Sequence, residues 1–118
     1  MQFGHIGIKV RDLEKSLDFY QHVLSCKVIK EYLYPEMQLV FLDAHGTVIE
    51  LIHKKEHPAP QSGSIEHIAF KVESLDEKIA LLNERGITYS PPKTVGKARI
   101  IYIEGPDREK FEFVEMVS

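Results

Sequence analysis

The sequence predicts an α+β fold built from two tandem βαβββ modules. The first observation is an internal duplication: His5 and Glu50 recur as His67 and Glu112, both at an offset of 62 residues. At the same offset, GHIGIKVRDLEKSL aligns with EHIAFKVESLDEKI. The second observation is that each half contains the same order of strand and helix periodicities. Two copies of about 60 residues are too few and too long for a solenoid, so we expect a duplication within one domain, residues 1–118.

The first module is expected over about residues 1–54. Its opening strand alternates apolar and polar residues, the period of a half-buried strand. Asp12 is a candidate N-cap for a helix through about Leu24, whose apolar residues recur at helical spacing. Asp43–Gly46 (DAHG) is a hairpin signal between the last two strands. The predicted strands are Phe3–Val10, Lys27–Tyr34, Met37–Leu42 and Thr47–Lys54, and the helix stripe is Leu13, Leu17, Tyr20 and Leu24.

A proline- and glycine-containing linker is expected at residues 55–64, followed by the second module over about 65–118. Ser74 and Glu77 form a capping box at the start of its helix, and Gly86 is a candidate stop. Pro91 and Pro92 end the strand that precedes them. The predicted strands are Ile65–Val72, Ile87–Tyr89, Ala98–Glu104 and Lys110–Met116, and the helix stripe is Leu75, Ile79 and Leu82.

Composition excludes several classes of partner. With 118 residues the chain is long enough to bury a core. A formal charge of −3 gives no reason to expect nucleic acid or an anionic membrane. No apolar run is long enough to span a bilayer, and a strand pattern near the N-terminus leaves no room for a signal peptide. Cys26 is the single cysteine, so it forms no disulfide within the chain. Together these features predict a cytoplasmic protein.

Strand parity places four candidate metal ligands away from the core. His5, Glu50, His67 and Glu112 each alternate with apolar neighbours, which need the helices as cover. All four side chains are therefore expected on the opposite face of the sheet. A chain that supplies one His and one Glu from each copy can close a four-ligand metal site about its internal two-fold axis.

Two imidazoles and two carboxylates suit a borderline divalent ion such as Zn²⁺, Ni²⁺, Co²⁺, Fe²⁺ or Mn²⁺. Such an ion is a Lewis acid that polarises a carbonyl group. A glutamate that detaches from it can move a proton within hydrogen-bond reach. The set therefore favours an enzyme that abstracts a proton next to a carbonyl.

Other polar residues have two interpretations. Lys9 and Lys71 match across the repeat and share the parity of the ligands, so they either hold substrate carboxylates or lie at strand ends in solvent. Lys97 and Arg99 are better explained as an exposed strand start. Cys26 is expected to be a small buried residue rather than a reactive thiol. The remaining histidines are expected on a helix surface, a hairpin tip, a strand position of the wrong parity and the linker: His22, His45, His53 and His57.

The chain resembles the vicinal oxygen chelate superfamily, specifically its glyoxalase I type. The stretches that carry the resemblance are HIGIKVRDLEKSLDFYQHVL, VIELI, EHIAFKV and GPDREKFEFVE, and they cover essentially the whole chain. The resemblance implies the glyoxalase/bleomycin resistance/dihydroxybiphenyl dioxygenase fold, a cup-shaped mixed sheet around the metal. It also implies the ligand set His5, Glu50, His67 and Glu112.

The same resemblance implies a lactoylglutathione lyase-like activity. The substrate would be the adduct of methylglyoxal and a thiol, and the product a lactoyl thioester. Glu112 would be the base, with Glu50 as the second catalytic carboxylate. Ni²⁺ or Co²⁺ would be favoured as the metal, followed by Zn²⁺, and the protein would be a homodimer whose sites are assembled from both chains.

Three departures leave the thiol open. Where glyoxalase I has an arginine for the glutathione carboxylate, this chain has Lys9, which lacks the bidentate fork. Lys54 replaces a usual asparagine, so Lys9, Lys54 and Lys71 are the candidate substrate-binding residues. The usual D-P-D-G-Y turn is here G-P-D-R-E, residues 105–109.

Two alternatives remain beside the lyase. One is a racemase resembling methylmalonyl-CoA epimerase, although that family usually has glutamine where Glu50 stands. The other is a non-catalytic binding module like the bleomycin-resistance proteins, which lack the metal ligands. A fosfomycin-resistance thiol transferase or an extradiol dioxygenase is less favoured, because each uses three ligands.

Overall fold

The computed structural model describes residues 5–55 and 65–116. The chain divides into two compact units, residues 1–61 and 62–118. The predicted linker lies almost wholly outside the described residues, as do His57 and the start of the first predicted strand. Within the described ranges, neither helix has the length and apolar character required to cross a membrane.

The first unit is a four-stranded mixed sheet with one helix. The strands occur in the order β1-β4-β3-β2, with β1 parallel to β4 and the other neighbours antiparallel. The elements are β1 His5–Lys9, α1 Leu13–His22, β2 Lys27–Leu33, β3 Met37–Ala44 and β4 Thr47–Lys54.

The second unit repeats this topology with the order β5-β8-β7-β6, and β5 is parallel to β8. Each unit is therefore βαβββ, which confirms the fold predicted from the sequence. The elements are β5 Ile68–Lys71, α2 Leu75–Glu84, β6 Lys93–Val95, β7 Ala98–Glu104 and β8 Lys110–Met116.

Both helices begin at the predicted caps. The Asp12 carboxylate accepts a hydrogen bond from Lys15 N at 3.1 Å, and the Ser74 hydroxyl accepts one from Glu77 N at 3.1 Å. Gly86 follows α2 with φ +67°, a left-handed conformation that favours glycine and ends the helix. Helix α1 ends at His22 rather than at Leu24, although Leu24 remains buried.

The strand faces have the polarity that parity predicts. Ile49 and Leu51 on β4 are buried, as are Phe111 and Phe113 on β8. The side chain of Lys78 on α2 lies over the Phe113 ring, so this helix covers the apolar face of the second sheet. The alternate residues on these strands are left for the opposite face, where the candidate ligands lie.

Two strand predictions in the second unit were wrong. Ile87–Tyr89 is not a strand; Ser90 makes an isolated backbone hydrogen bond to Tyr102 O at 3.0 Å, and two prolines follow. The outer strand is instead β6, a short exposed segment after the prolines. Strand β5 begins at Ile68 rather than Ile65, so His67 lies one residue before it.

Candidate metal centre

The first unit brings His5 and Glu50 together. In the parallel register of β1 and β4, Gly7 is opposite Glu50 and His5 is opposite Val48, so both polar side chains lie on one face. His5 Nε2 lies 3.4 Å from Glu50 Oε1. The histidine is 47% exposed and the glutamate 14%, so solvent reaches the pair from the imidazole side.

The second unit brings His67 and Glu112 together with the same geometry. Strands β5 and β8 are parallel, and Ala69 is opposite Glu112 as Gly7 is opposite Glu50. His67 Nε2 lies 3.4 Å from Glu112 Oε2, and the side chains are 35% and 14% exposed. The duplication read from the sequence is thus repeated in the geometry of the two pairs.

An aromatic ring stands edge-on to each histidine. Phe41 pairs with Glu50 across β3 and β4, and its ring lies 5.6 Å from that of His5. Tyr102 pairs with Glu112 across β7 and β8, and its ring lies 6.0 Å from that of His67. Neither aromatic residue was singled out from the sequence, because the spacing to the glutamate differs by one residue between the copies.

The second pair has further polar contacts that sequence reasoning missed. His67 Nδ1 donates a hydrogen bond to Glu66 Oε1 at 3.0 Å. Lys110 Nζ donates to both Glu66 carboxylate oxygens, at 3.2 and 3.3 Å. The hydrogen bond from His67, followed by that from Lys110, lowers the pKa of Glu66. The only sequence signal was the position of Glu66 beside His67, since Lys110 is 44 residues away.

Tyr102 completes this set of contacts. Its hydroxyl is hydrogen-bonded to the Glu112 carboxylate, which raises the pKa of Tyr102 because the phenolate would face a negative group. Lys110 Nζ lies 4.4 Å from the centre of the Tyr102 ring on the same side of the sheet.

The donor atoms of each pair fit a divalent ion. Two ligands at about 2.1 Å from one ion, at octahedral or tetrahedral angles, lie roughly 3.0–3.4 Å apart. The two imidazole–carboxylate separations of 3.4 Å fall at the upper end of that range. Within residues 5–55 and 65–116, no group of three or more His, Cys, Asp or Glu side chains is arranged to hold a metal ion. The described residues therefore contain two separate His–Glu pairs, each with two donor atoms.

The three candidate substrate-binding lysines are all exposed. Lys9 is opposite Ile52 and shares the face of His5, and Lys71 shares the corresponding face of the second unit. Lys54 lies at the end of β4. Arg99 instead lies near two carboxylates of its own unit, Asp76 at 3.6 Å and Glu115 at 3.7 Å.

A cavity of about 350 Å³ lies beside Tyr102 in the second unit. Lys110, Arg108 and Glu104 supply its charged groups, and the segment before the two prolines forms its other wall. The cavity adjoins the residue that contacts Glu112, so a molecule bound there would lie next to the second pair. The uncharged lining residues are Thr88, Tyr89, Ser90, Tyr102 and Ile103.

A family model described as the Glyoxalase/Bleomycin resistance protein/Dioxygenase superfamily matches residues 2–113. A lactoylglutathione lyase of Neisseria meningitidis is 33% identical over 100% of this chain and 93% of its own length. Among solved structures, a glyoxalase family protein from Enterococcus faecalis superposes with a TM-score of 0.83, at 26% identity and 97% coverage of both chains.

A further structure of the same fold is the fosfomycin resistance protein FosX from Listeria monocytogenes, crystallised with Mn(II) and sulfate. It has a TM-score of 0.80 at 24% identity, covering 97% of this chain and 91% of that one. The family match over nearly the whole chain, the βαβββ duplication and these likenesses agree. The chain belongs to the Glyoxalase/Bleomycin resistance protein/Dioxygenase superfamily.

Proposed function

We propose that this protein is a metal-dependent glyoxalase I-like lyase. It converts the hemithioacetal of an α-oxoaldehyde and a thiol to a 2-hydroxyacyl thioester. His5, Glu50, His67 and Glu112 would hold a single divalent ion. The observation that carries this proposal is the repetition of one His–Glu pair, with the same 3.4 Å separation, in both units.

The reaction needs two proton movements and no external oxidant or reductant. A divalent ion at this site would polarise the carbonyl and make the adjacent C–H more acidic. Glu112 takes the proton from the carbon that bears the thiol, and the proton is returned to the neighbouring carbon. The hydroxyl oxygen of the hemithioacetal becomes the thioester carbonyl as its proton is lost, and the former carbonyl oxygen becomes the product hydroxyl. Substrate and product are therefore isomers, and Glu50 is the second carboxylate available for the transfer.

The resemblance to glyoxalase I favours Ni²⁺ or Co²⁺, followed by Zn²⁺, and the donor set suits all three. Imidazole nitrogens and carboxylate oxygens bind all three ions, and the fourfold protein set leaves positions for substrate when the ion is six-coordinate. The substrate is a small-molecule thiol adduct. Its anionic groups are bound by Lys9, Lys54 and Lys71, and the cavity beside Tyr102 accommodates the part of the thiol remote from the reacting carbons. The working form is a homodimer.

The test is thiol-dependent loss of methylglyoxal by protein reconstituted with Ni²⁺, Co²⁺ or Zn²⁺, measured with a panel of cellular thiols. Glu112→Gln keeps the size of the side chain and removes the base, so turnover should fall by about 10²- to 10⁴-fold. Glu84→Gln is the matched control, because Glu84 is an exposed carboxylate of the same unit that lies at the end of α2, outside the cavity and the His67–Glu112 pair. Full activity in Glu112→Gln, or no activity with any thiol, would contradict the proposal.

A further inference from the structure

The two His–Glu pairs are alike in their donor atoms and different in their surroundings. Around His5 and Glu50, the neighbouring positions are occupied by Gly7 and the ring of Phe41, neither of which has a polar side-chain atom. Among residues 5–55 and 65–116, no second carboxylate contacts the His5 imidazole. Within the part of the chain that the structure describes, the first pair therefore has fewer polar neighbours than the second.

In the second pair, the His67 imidazole is oriented by a hydrogen bond at the ring nitrogen that does not face Glu112. A carboxylate can only accept hydrogen bonds, so His67 Nδ1 carries the proton in the 3.0 Å contact with Glu66. In the neutral imidazole the other nitrogen, Nε2, is then the unprotonated one, and it lies 3.4 Å from Glu112. Lys110 holds both oxygens of Glu66 and thereby limits where that carboxylate can turn.

The carboxylate of the second pair is held as well. Tyr102 faces Glu112 across the strand pair, and its hydroxyl is hydrogen-bonded to that carboxylate. The matching position in the first unit is Phe41, which has the same edge-on ring and no hydroxyl. A single oxygen atom thus distinguishes the aromatic neighbours of the two glutamates.

We propose that Glu66, Lys110 and Tyr102 are positioning residues that make His67 and Glu112 the anchoring half of the metal site, with His5 and Glu50 the weaker half. This inference rests on the proposed metal site. Outer groups that fix a ligating histidine raise its basicity and remove the entropy cost of orienting it on binding. The hydrogen bond from Tyr102 would keep the Glu112 carboxylate in place for proton transfer.

The orientation of His67 can be measured without any metal. In ¹⁵N-labelled metal-free protein, long-range nitrogen–proton NMR spectra should show His67 with its proton on Nδ1. Glu66→Ala should abolish that preference, because the acceptor is lost. Glu73→Ala, an exposed carboxylate of the same unit, is the matched control and should leave the His67 signals unchanged.

Metal affinity is the second readout, measured by Co²⁺ titration against a competing chelator and by the visible spectrum of bound Co²⁺. Glu66→Ala should weaken binding by about 10- to 100-fold. Tyr102→Phe, which makes the second unit resemble the first, should also weaken it, whereas Phe41→Tyr should not. Removal of His67 and Glu112 together should weaken binding more than removal of His5 and Glu50.

The outcomes separate this inference from the proposed function. If wild type binds Co²⁺ and both Glu66→Ala and Tyr102→Phe bind it with the same affinity, the positioning roles are overturned and the proposed metal site stands. Equal losses of Co²⁺ affinity in the two double variants would contradict the assignment of His67 and Glu112 as the anchoring half. Wild-type protein that takes up no Co²⁺ would overturn both the inference and the proposed metal site.

Discussion

Cys26 shows what burial does to one side chain. It is 4% exposed, and burial, followed by the nearby negative charge of Asp43, raises the pKa of its thiol to about 11. The thiolate is the reactive form of cysteine. The expectation of a small buried residue is therefore confirmed, and the structure provides no environment that would activate it.

This shift predicts a loss of stability in alkaline solution. Because the folded protein favours the neutral thiol, the contribution is fully present below the ordinary thiol pKa of about 9.0 and is lost as pH rises to about 11. The free energy of unfolding of wild type should fall across that window by on the order of 2 kcal/mol more than that of Cys26→Ala. Urea unfolding at pH 8 and pH 11 measures the difference; parallel losses in the two proteins would contradict it.

At the residue scale, the candidate ligands could be predicted from the sequence, but the side-chain contacts around them could not. His5, Glu50, His67 and Glu112 could be singled out because the duplication and strand parity are properties of the sequence itself. The contact between Lys110 and Glu66 could not, since it depends on where β5 and β8 pair. Tyr102 was missed for the same reason, because its relation to Glu112 exists only through the β7–β8 register.

Strand β8 has two functions on its two faces. Glu112 points to the His67 side, whereas Glu115 Oε1 accepts a hydrogen bond at 2.8 Å from the backbone of Leu75, the first residue of α2. That bond satisfies a donor at the start of the helix, where no intrahelical partner exists. The strand therefore joins the candidate metal centre to the helix that covers the core.

The two glutamates should separate in their effects when substituted. Glu115→Ala leaves the Leu75 N–H without its acceptor and should lower the free energy of unfolding by about 1–2 kcal/mol, with metal affinity unchanged. Glu112→Ala should weaken metal binding and leave the stability of the metal-free protein nearly unchanged. Chemical denaturation and Co²⁺ titration of both variants test this. If the same variant showed the larger loss in both assays, the assignment of Glu115 to stability and Glu112 to metal binding would be contradicted.

The turn between β7 and β8 explains one departure from the family pattern. Glu109 Oε1 accepts a hydrogen bond from Asp107 N at 2.6 Å. A Cβ at Gly105 would lie 2.6 Å from the Glu109 carboxylate, so glycine leaves room for that side chain. Glycine at position 105 thus leaves room for glutamate at position 109, where the family pattern has aspartate and tyrosine.

The close approach of positions 105 and 109 predicts that substitutions at the two positions have coupled effects on the free energy of unfolding. Gly105→Asp alone should lower the free energy of unfolding by about 1–3 kcal/mol, because a second carboxylate would crowd Glu109. Combining it with Glu109→Tyr should restore most of that loss. A double-mutant cycle from urea unfolding measures the coupling energy, and additive effects would show that the two positions are independent.

Element boundaries were predictable where the pattern was regular. Strands β4, β7 and β8 begin and end as predicted, because each is a run rich in β-branched and aromatic residues. Strand β6 was missed, since three exposed residues have no periodicity to detect. The segment Ile87–Tyr89 was assigned wrongly, because Ile87 N donates to Leu82 O of α2 and Tyr89 to the side chain of Asn83, so the segment bonds to the helix.

At the scale of the whole molecule, the two copies share their strand order and their His–Glu pair but differ in the polar residues around that pair. Both units have the same strand order and the same His–Glu pair. Only the second adds Glu66 and Tyr102 around it. The proposed anchoring role of His67 and Glu112 depends on this difference between the two copies.

The metal content of the purified protein, measured by mass spectrometry, tests the central claim most directly. His5→Ala and Glu112→Ala are measured beside wild type, with His22→Ala as control because His22 lies exposed on α1. We expect about one transition-metal ion per chain in wild type and in the control, and a loss in both ligand variants. Absence of metal from wild type, even after reconstitution with Ni²⁺, Co²⁺ and Zn²⁺, would contradict it.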